Sequence, residues 1–364
     1  MSLGHGATSS RLTQNRHTLL RAPSSLAAVV AISVLALPAC SLKRMAVGSL
    51  ADTLAAGGGV YASDDDPELI RAAVPFSLKT VEALIAEVPN HPGLLLAACS
   101  GFTQYSYAFV QSDAEFLEPD DFERSQETAA RARRLYLRAT RYCLRRLETA
   151  HPGIEQGLRR DPEAALTAAR KEDVPALYWT AAAWGSAISL GLDQPELIAE
   201  LPIARALMTR ALALDDSYEQ GAIHAAMISI EAVPESMGGS VKRAREHFDR
   251  AVALSGGQSA GPYVTLAMSV AQPAQDRAEF EQLLNQALAV DADQYPSWRL
   301  ANLVSQKRAR FLLARVDALF NEAEPSVASA PLAGFAAAGV GLVPRAANWP
   351  RVPIPRAEGE SWFR

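Results

Sequence analysis

The chain has 364 residues, a formal net charge of −5 and three cysteines. The acidic balance argues against nucleic acid as a partner, because phosphate backbones are bound chiefly by clustered lysine and arginine. Three cysteines are too few for a disulfide framework or a structural zinc site. The length suffices for one large solenoid or two compact domains.

The N-terminal 39 residues have the order of a secretory signal peptide. Three arginines precede an uncharged apolar run at 26–37, which is shorter than the roughly 20 residues that span a bilayer. The following LPAC resembles the bacterial lipobox, although Pro38 stands where a small residue is usual. We therefore expect a signal peptide at 1–39 and acylation of Cys40. A plain secretory signal with an incidental cysteine is the alternative.

The residue that follows Cys40 indicates the membrane to which the protein is sorted. Ser41 stands there rather than an aspartate, which fits sorting to the outer membrane in bacteria that use that rule. We expect the protein on the periplasmic face of the outer membrane, held durably by several acyl chains on Cys40. Removal of the leader takes away three arginines and no acid, so the net charge of the mature chain falls to about −8.

An anchor-proximal segment at 40–66 precedes a body that is helical in pattern throughout. Between 67 and 322, alanine-rich helical patterns alternate with short Pro, Gly and Asp breaks, and alternating β-branched runs are almost absent. This pattern predicts an all-α fold. The residues at 323–364 are rich in Pro, Ala and Gly, which predicts a flexible tail. The breaks are PNHPG at 89–93, AHPG at 150–153, LDDSY at 214–218, SGGQSAGPY at 255–263 and VDADQYP at 290–296.

Several helical segments share one internal spacing, in which a large apolar residue is followed three positions later by an alanine. Small residues at fixed places let two helices approach closely, while large ones fill the groove between helix pairs. The spacing predicts a solenoid of four or so tetratricopeptide-like hairpins and a closing helix at about 295–320, although the repeats are longer than the usual 34 residues. The recurring alanines are Ala211, Ala251 and Ala287, with Ala132 and Ala139 in an earlier helix.

The two cysteines of the body lie in apolar helical patterns. We expect Cys99 and Cys143 to be buried, unreactive thiols. A disulfide between them in an oxidising periplasm is the alternative.

Short signatures in the second half resemble a known family. ESMGGS at 235–240, GPYVTLAMSVAQPAQ at 261–275 and RLANLVSQKRARFLLARVDALF at 299–320 occur in order. They resemble the T-component family of TRAP (tripartite ATP-independent periplasmic) transporters, and the likeness covers about 40–322. The resemblance implies a lipid-anchored, periplasm-facing helical protein that forms a trimer with a central pore. It also implies docking of the transporter's soluble substrate-binding protein.

A glycine pair and a serine raise the question of a ligand loop. Gly238, Gly239 and Ser240 lie between two apolar helical patterns and precede Lys242 and Arg243. Glycine supplies positive φ, and the serine is placed to cap the second helix, so the stretch predicts a hairpin turn. An anion at this helix N-terminus is the alternative. The stretch lacks the GxxxxGK pattern of a nucleotide loop.

One helix carries five arginines at spacings of three and four, which places them on one face. We call this set the arginine stripe. One interpretation is a solvated face partly paired with Glu123 and Glu127. The other is docking to an acidic partner or to lipid headgroups, because guanidinium binds carboxylate and phosphate well. The candidate partner-binding residues are Arg131, Arg134, Arg138, Arg141 and Arg145.

Asn302, Gln306 and Arg310 recur every four residues in the otherwise apolar last helix. They are either the polar outer face of a terminal repeat or a strip that lines a pore or ligand groove.

Aromatic residues concentrate in two stretches that contain Tyr105, Trp179 and Trp184. Core packing is the favoured interpretation, and the lining of an apolar ligand cavity is the alternative.

Motifs for catalysis are not found. His224 and His247 belong to different predicted helices, and neither HExxH nor a nucleophile elbow is present. We expect a protein that is not an enzyme and needs no cofactor or metal. The alternatives to a transporter component are a scaffold lipoprotein for envelope assembly and a ligand-binding lipoprotein that acts without a transporter.

Overall fold

The computed structural model describes residues 58–320, and the predicted all-α class is confirmed, because these residues form helices and no strand. The predicted signal peptide, Cys40 and the tail at 323–364 lie outside the described residues. The α-helices are α1 (Gly58–Ala62), α2 (Pro67–Glu87), α3 (Pro92–Tyr105), α4 (Ser112–Leu117), α5 (Phe122–Ala150), α6 (Ile154–Arg160), α7 (Pro162–Ala165), α8 (Val174–Ser189), α9 (Pro195–Ile198), α10 (Leu201–Leu214), α11 (Ala222–Glu231), α12 (Val241–Leu254), α13 (Gly261–Leu266), α14 (Arg277–Ala289), α15 (Arg299–Leu313) and α16 (Val316–Leu319).

Two segments have π-helical geometry, Ser106–Gln111 between α3 and α4 and Ala267–Ala271 after α13. Such segments insert one extra residue into a turn and often occur at functional sites. The first of them matters below, because it carries two side chains of a buried cluster.

Helix ends follow local chemistry. The side chain of Asp66 accepts hydrogen bonds from the amides of Glu68 and Leu69, and a proline opens the first turn of α2. Asp121 caps the 29-residue helix α5 in the same way, accepting from the amide of Arg124. Each of the five predicted breaks contains a boundary between two helices.

Helices pack mainly against their near neighbours in the chain. Helix α3 lies against α2 and α5, α8 lies between α5 and α10, and α11 pairs with α12. Further along, α14 lies between α13 and α15. Small side chains at the contacts permit this close approach. The predicted alanines are all buried, namely Ala132, Ala139, Ala211, Ala251 and Ala287.

The last long helix also returns to the first ones. Helix α15 contacts α1 and α2. A guanidinium nitrogen of Arg299 donates to the carbonyl of Ser63 at 3.1 Å, and the ring of Phe311 lies 4.7 Å from that of Phe116. The succession of helix contacts therefore closes on itself, through pairs of residues that lie far apart in the sequence.

Cys99 of α3 and Cys143 of α5 form a disulfide, so the expectation of free thiols is wrong. The two helices lie side by side with the Cα atoms 4.9 Å apart, a separation that a disulfide can bridge, and both cysteines are fully buried. The residues lie 44 positions apart, and closing a loop of that length contributes about 4 kcal/mol in the chain-entropy description.

Among the helices in residues 58–320, none combines the length and the apolar character needed to cross a membrane.

Candidate functional site

The arginine stripe divides into two groups in the structure. Arg131, Arg134 and Arg141 are exposed and form no ion pair with another described residue. Arg138 instead pairs with Glu82 of α2 and lies over the ring of Phe102, with its guanidinium carbon 4.8 Å from the ring centroid. This arginine therefore holds α5 against its neighbours.

Arg145 also serves the fold, because it donates to the carbonyl of Pro89 at 2.7 Å. The expected pairing of the stripe with Glu123 and Glu127 is wrong, since the structure pairs neither carboxylate with these arginines and offers Glu82 to Arg138. The burial of Glu82 on α2 explains the difference: its side chain is 9% exposed and takes an arginine, a lysine and a tyrosine as partners. Arg131, Arg134 and Arg141 remain at the surface without an ion-pair partner among the described residues.

A buried polar cluster lies where α15 meets the π-helical segment, α4 and α5. Arg308 donates to Glu115 at 2.8 Å and to the hydroxyl of Tyr107 at 3.2 Å. Gln111 donates to Glu115 at 3.0 Å and accepts from the hydroxyl of Tyr136 at 2.7 Å. The Arg308 and Glu115 side chains are 4% and 15% exposed, so this ion pair is largely removed from water.

Burial decides the electrostatics of this cluster. It raises the pKa of Glu115, and the nearby Arg308 and Gln111 act in the opposite direction. Burial also raises the pKa of Tyr136 well above its ordinary value. None of these five residues was predicted from the sequence as a site residue, although the helical spacing placed Tyr136 on an apolar face. The π-helical segment that brings Tyr107 and Gln111 here has no sequence signal.

Both interpretations of Asn302 and Gln306 are wrong, because the two side chains are buried and bond to backbone groups. Asn302 accepts from the amide of Ala260 and donates to the carbonyl of Gln258, each at 2.9 Å. Gln306 donates to the carbonyl of Val290 at 2.7 Å, at the end of α14. The two side chains thus satisfy backbone groups just before α13 and just after α14, which have no hydrogen-bond partner within a helix. Arg310, one turn further, is exposed.

The predicted aromatic residues pack among other side chains. Trp184 is 2% exposed and its indole nitrogen donates to Glu200 at 2.8 Å. The ring of Trp179 lies 4.9 Å from that of Tyr178, and Tyr105 lies 5.6 Å from Phe109.

The glycine-serine stretch forms the link between α11 and α12. Gly238 has φ of 84°, and the hydroxyl of Ser240 accepts from the amide of Arg243 at 3.3 Å. The guanidinium of Arg243 donates to the carbonyl of Gly238 at 2.7 Å and to the buried Glu231 at 2.8 Å. Lys242 lies 3.7 Å from Glu246. Both cations beside the stretch thus have carboxylate partners.

The structure also joins two histidines that the sequence placed on separate helices. The Nδ1 atoms of His224 on α11 and His247 on α12 are 2.8 Å apart. Burial and the neighbouring imidazole lower the pKa of His224 to about 4, and burial lowers the pKa of His247. Within residues 58–320, no group of three or more His, Cys, Asp and Glu side chains is arranged to hold a metal ion.

The described residues form an all-α protein with two separate candidate features, which are three surface arginines without ion-pair partners among these residues and a buried polar cluster. The family model of the TRAP transporter T-component matches residues 63–320. An uncharacterized protein of Treponema pallidum (strain Nichols) is 34% identical over 300 residues, which cover 77% of this chain and 93% of that protein. The chain belongs to the TRAP transporter T-component family, a family of transporter auxiliary components, and the resemblance seen in the sequence is confirmed.

Proposed function

We propose that this chain is the lipid-anchored, periplasm-facing auxiliary component of a TRAP-type solute uptake system and that it binds the system's soluble substrate-binding protein. The observation that carries the proposal is the set of three exposed arginines without ion-pair partners on one face of α5, Arg131, Arg134 and Arg141, in a member of this family. Unpaired guanidinium groups attract an acidic surface and bind carboxylates in a forked geometry. We expect noncovalent association of the two proteins and no chemical reaction.

The disulfide supports the proposed location. Disulfides persist in oxidising compartments such as the bacterial periplasm and are rare where thiols are kept reduced. The Cys99–Cys143 bond is fully buried and joins two main helices of the fold. A periplasmic domain held to the outer membrane through acylated Cys40 agrees with that chemistry.

The proposal includes a solute that is held or passed, and association of three copies, both of which the family resemblance implies. Half-buried Tyr107, which accepts a hydrogen bond from Arg308 of the Arg308–Glu115 pair, supplies with that pair aromatic and polar groups of the kind that orient small solutes in protein sites.

A capture experiment tests the proposal. The acylated protein, purified from a membrane extract of the source organism, is examined for a co-purifying substrate-binding protein. We expect capture by the native protein and loss of capture by the variant Arg134→Glu/Arg141→Glu, which reverses two exposed charges of the stripe. The matched control is Arg160→Glu/Lys242→Glu, which makes the same charge change elsewhere on the surface. Recovery of envelope assembly factors in place of a substrate-binding protein would contradict the proposal.

A further inference from the structure

The outer face of α2 carries several exposed apolar side chains. Leu69 and Phe76 are 57% and 78% exposed, and Ala72 and Ala83 are exposed on the same face, at spacings of three, four and seven. We call these four residues the α2 stripe. Val60 of α1, shortly before it, is 73% exposed. Among the described residues, three of the six large apolar side chains that are exposed thus lie in the first two helices.

The core does not account for this face. Helix α2 buries a different set of side chains against α3, including Leu78, Val81 and Ile85. An amphipathic surface helix normally has a single apolar face. A second apolar face on the same helix therefore calls for a partner outside the described fold.

The size of the stripe favours a shallow contact. From Leu69 to Ala83 it is about 21 Å long and one helix wide, which amounts to roughly 200 Å². A stable protein interface buries about 800 Å² on each partner. The stripe alone is too small to hold a second copy of the chain, but an interfacial helix needs only such a face to enter the boundary between headgroups and acyl chains.

The expected anchor lies close to the stripe in the sequence. Val60 follows Cys40 by 20 residues, which span at most about 70 Å when fully extended. We propose that the α2 stripe lies on the bilayer surface and orients the helical domain relative to the membrane. This inference rests on the lipid anchor of the proposed function, and the experiment below separates the two.

The charges beside the stripe predict how it binds. Glu68 lies beside it, and Lys79 lies one turn from both Phe76 and Ala83 and pairs with Glu82. Glu87 lies one turn beyond Ala83, so the stripe has no cluster of basic residues beside it. Attraction to anionic lipid is therefore not the driving force, and burial of Leu69 and Phe76 is. We expect the contact to form on neutral phosphatidylcholine and to persist in high salt, whereas headgroup binding by the arginine stripe would need anionic lipid and low salt.

The test places a fluorophore on the stripe of the acylated protein bound to phosphatidylcholine vesicles that contain a spin-labelled quencher lipid. The label is attached through Ala72→Cys, because Cys99 and Cys143 are bonded to each other and acylated Cys40 carries no free thiol. The matched control is Ala253→Cys, an exposed alanine on α12. We expect several-fold stronger quenching at position 72 than at position 253, and its loss in the background Leu69→Ser/Phe76→Ser.

Three outcomes would overturn the inference. The first is equal quenching at both positions while the protein still floats with the vesicles, which would leave the lipid anchor standing and remove the stripe contact. The second is contact between labels on two copies that depends on Leu69 and Phe76, which would identify a second chain as the occupant. Failure of the protein to float would reject the anchor itself, and the inference with it.

Discussion

Buried polar side chains connect neighbouring helices in this protein. Glu231 at the end of α11 is 5% exposed and binds Arg205 of α10 and Arg243 of α12. Asn302 and Gln306 connect α15 to the ends of neighbouring segments. Removing one partner of such a contact leaves a buried group unsatisfied, which costs about 1–3 kcal/mol and more for a charge.

The histidine pair makes stability depend on pH. His224 is 7% exposed, and its Nε2 is buried without a hydrogen-bond partner among the described residues. We assign the Nδ1 proton to His224, which then donates to Nδ1 of His247, because this tautomer buries an unpaired acceptor rather than an unpaired N–H. A proton added to Nδ1 of His247 removes the acceptor of this hydrogen bond, and a proton added to Nε2 of His224 creates a buried charge with an unpaired N–H. The charged groups around the pair are Asp216, Glu231, Arg243, Glu246 and Arg250.

The direction of the effect follows from linkage. The pKa of His224 in the folded protein, about 4, lies below its ordinary value of 6.5, so the unfolded chain binds more protons in this range. Stability from this residue is present above pH 6.5 and is lost as the pH falls toward 4. We expect the free energy of unfolding to fall by about 1–2 kcal/mol between pH 7.5 and 5.

Urea unfolding at both pH values measures this change. The control is His224→Asn, which keeps a hydrogen-bonding group near His247 and does not titrate. It should show a clearly smaller loss between the two pH values, and an undiminished loss would contradict the assignment.

The sequence predicted the burial of some single residues, but it did not predict which groups the buried polar side chains contact. The alanines at 211, 251 and 287 were predicted from their spacing, because a helical period fixes which side chains share a face. Asn302 and Gln306 share such a spacing too, but their bonds to Ala260 and Val290 depend on where a neighbouring segment ends. The same holds for the Cys99–Cys143 pairing, which requires α3 and α5 to be adjacent in register.

The link between α11 and α12 is tightly constrained at one of its two glycines. A Cβ atom added at Gly239 would lie 1.7 Å from the carbonyl oxygen of Val233, whereas one added at Gly238 would meet no atom within 4 Å. The backbone φ of Gly238 is 84°, which disfavours other residues by about 1–2 kcal/mol. The two glycines are thus required for different reasons.

This difference predicts unequal effects of alanine. Gly238→Ala should lower the free energy of unfolding by about 1 kcal/mol, and Gly239→Ala by more than about 3 kcal/mol, because the backbone must move to relieve the clash. Thermal unfolding followed by circular dichroism compares them. Equal losses in the two variants would show that the turn adjusts more easily than its geometry indicates.

The ends of the helices were easier to predict from the sequence than the departures from regular α-helical geometry within them. Pro, Gly and Asp breaks mark where α2, α5, α10, α12 and α14 end, because these residues disfavour a continued helix. The two π-helical segments were not predicted. SYAFVQ and AMSVA contain no residue that a regular α-helix excludes, so the local sequence does not indicate the added residue in each turn.

Closure of the first helices against the last is the main feature of the whole molecule that the sequence did not indicate. Contacts between α15 and the segment around Glu115 join residues 193 positions apart. No local pattern specifies such a contact, since it results from the summed geometry of all intervening helices. The ion pair between Arg308 and Glu115 lies inside this junction.

We therefore expect Arg308 to contribute far more to the free energy of unfolding than the exposed Arg310 on the same helix. Arg308→Met leaves Glu115 buried without its charge partner and should cost about 3–5 kcal/mol of unfolding free energy. The matched variant Arg310→Met changes an exposed arginine and should cost less than about 0.5 kcal/mol. Chemical denaturation measures both, and similar small losses would show that the junction does not depend on this pair.

The central claim is that the exposed arginines of α5 bind an acidic surface of the substrate-binding protein. The most direct measurement is the dissociation constant of the two purified proteins at low and high salt, for the native chain and for Arg134→Glu/Arg141→Glu. Arg138 is left unchanged because its pairing with Glu82 supports the fold. We expect the variant to bind at least about tenfold more weakly with unchanged helicity, and salt to weaken the native complex more than the variant. Equal affinities and equal salt dependence for the two proteins would contradict the claim.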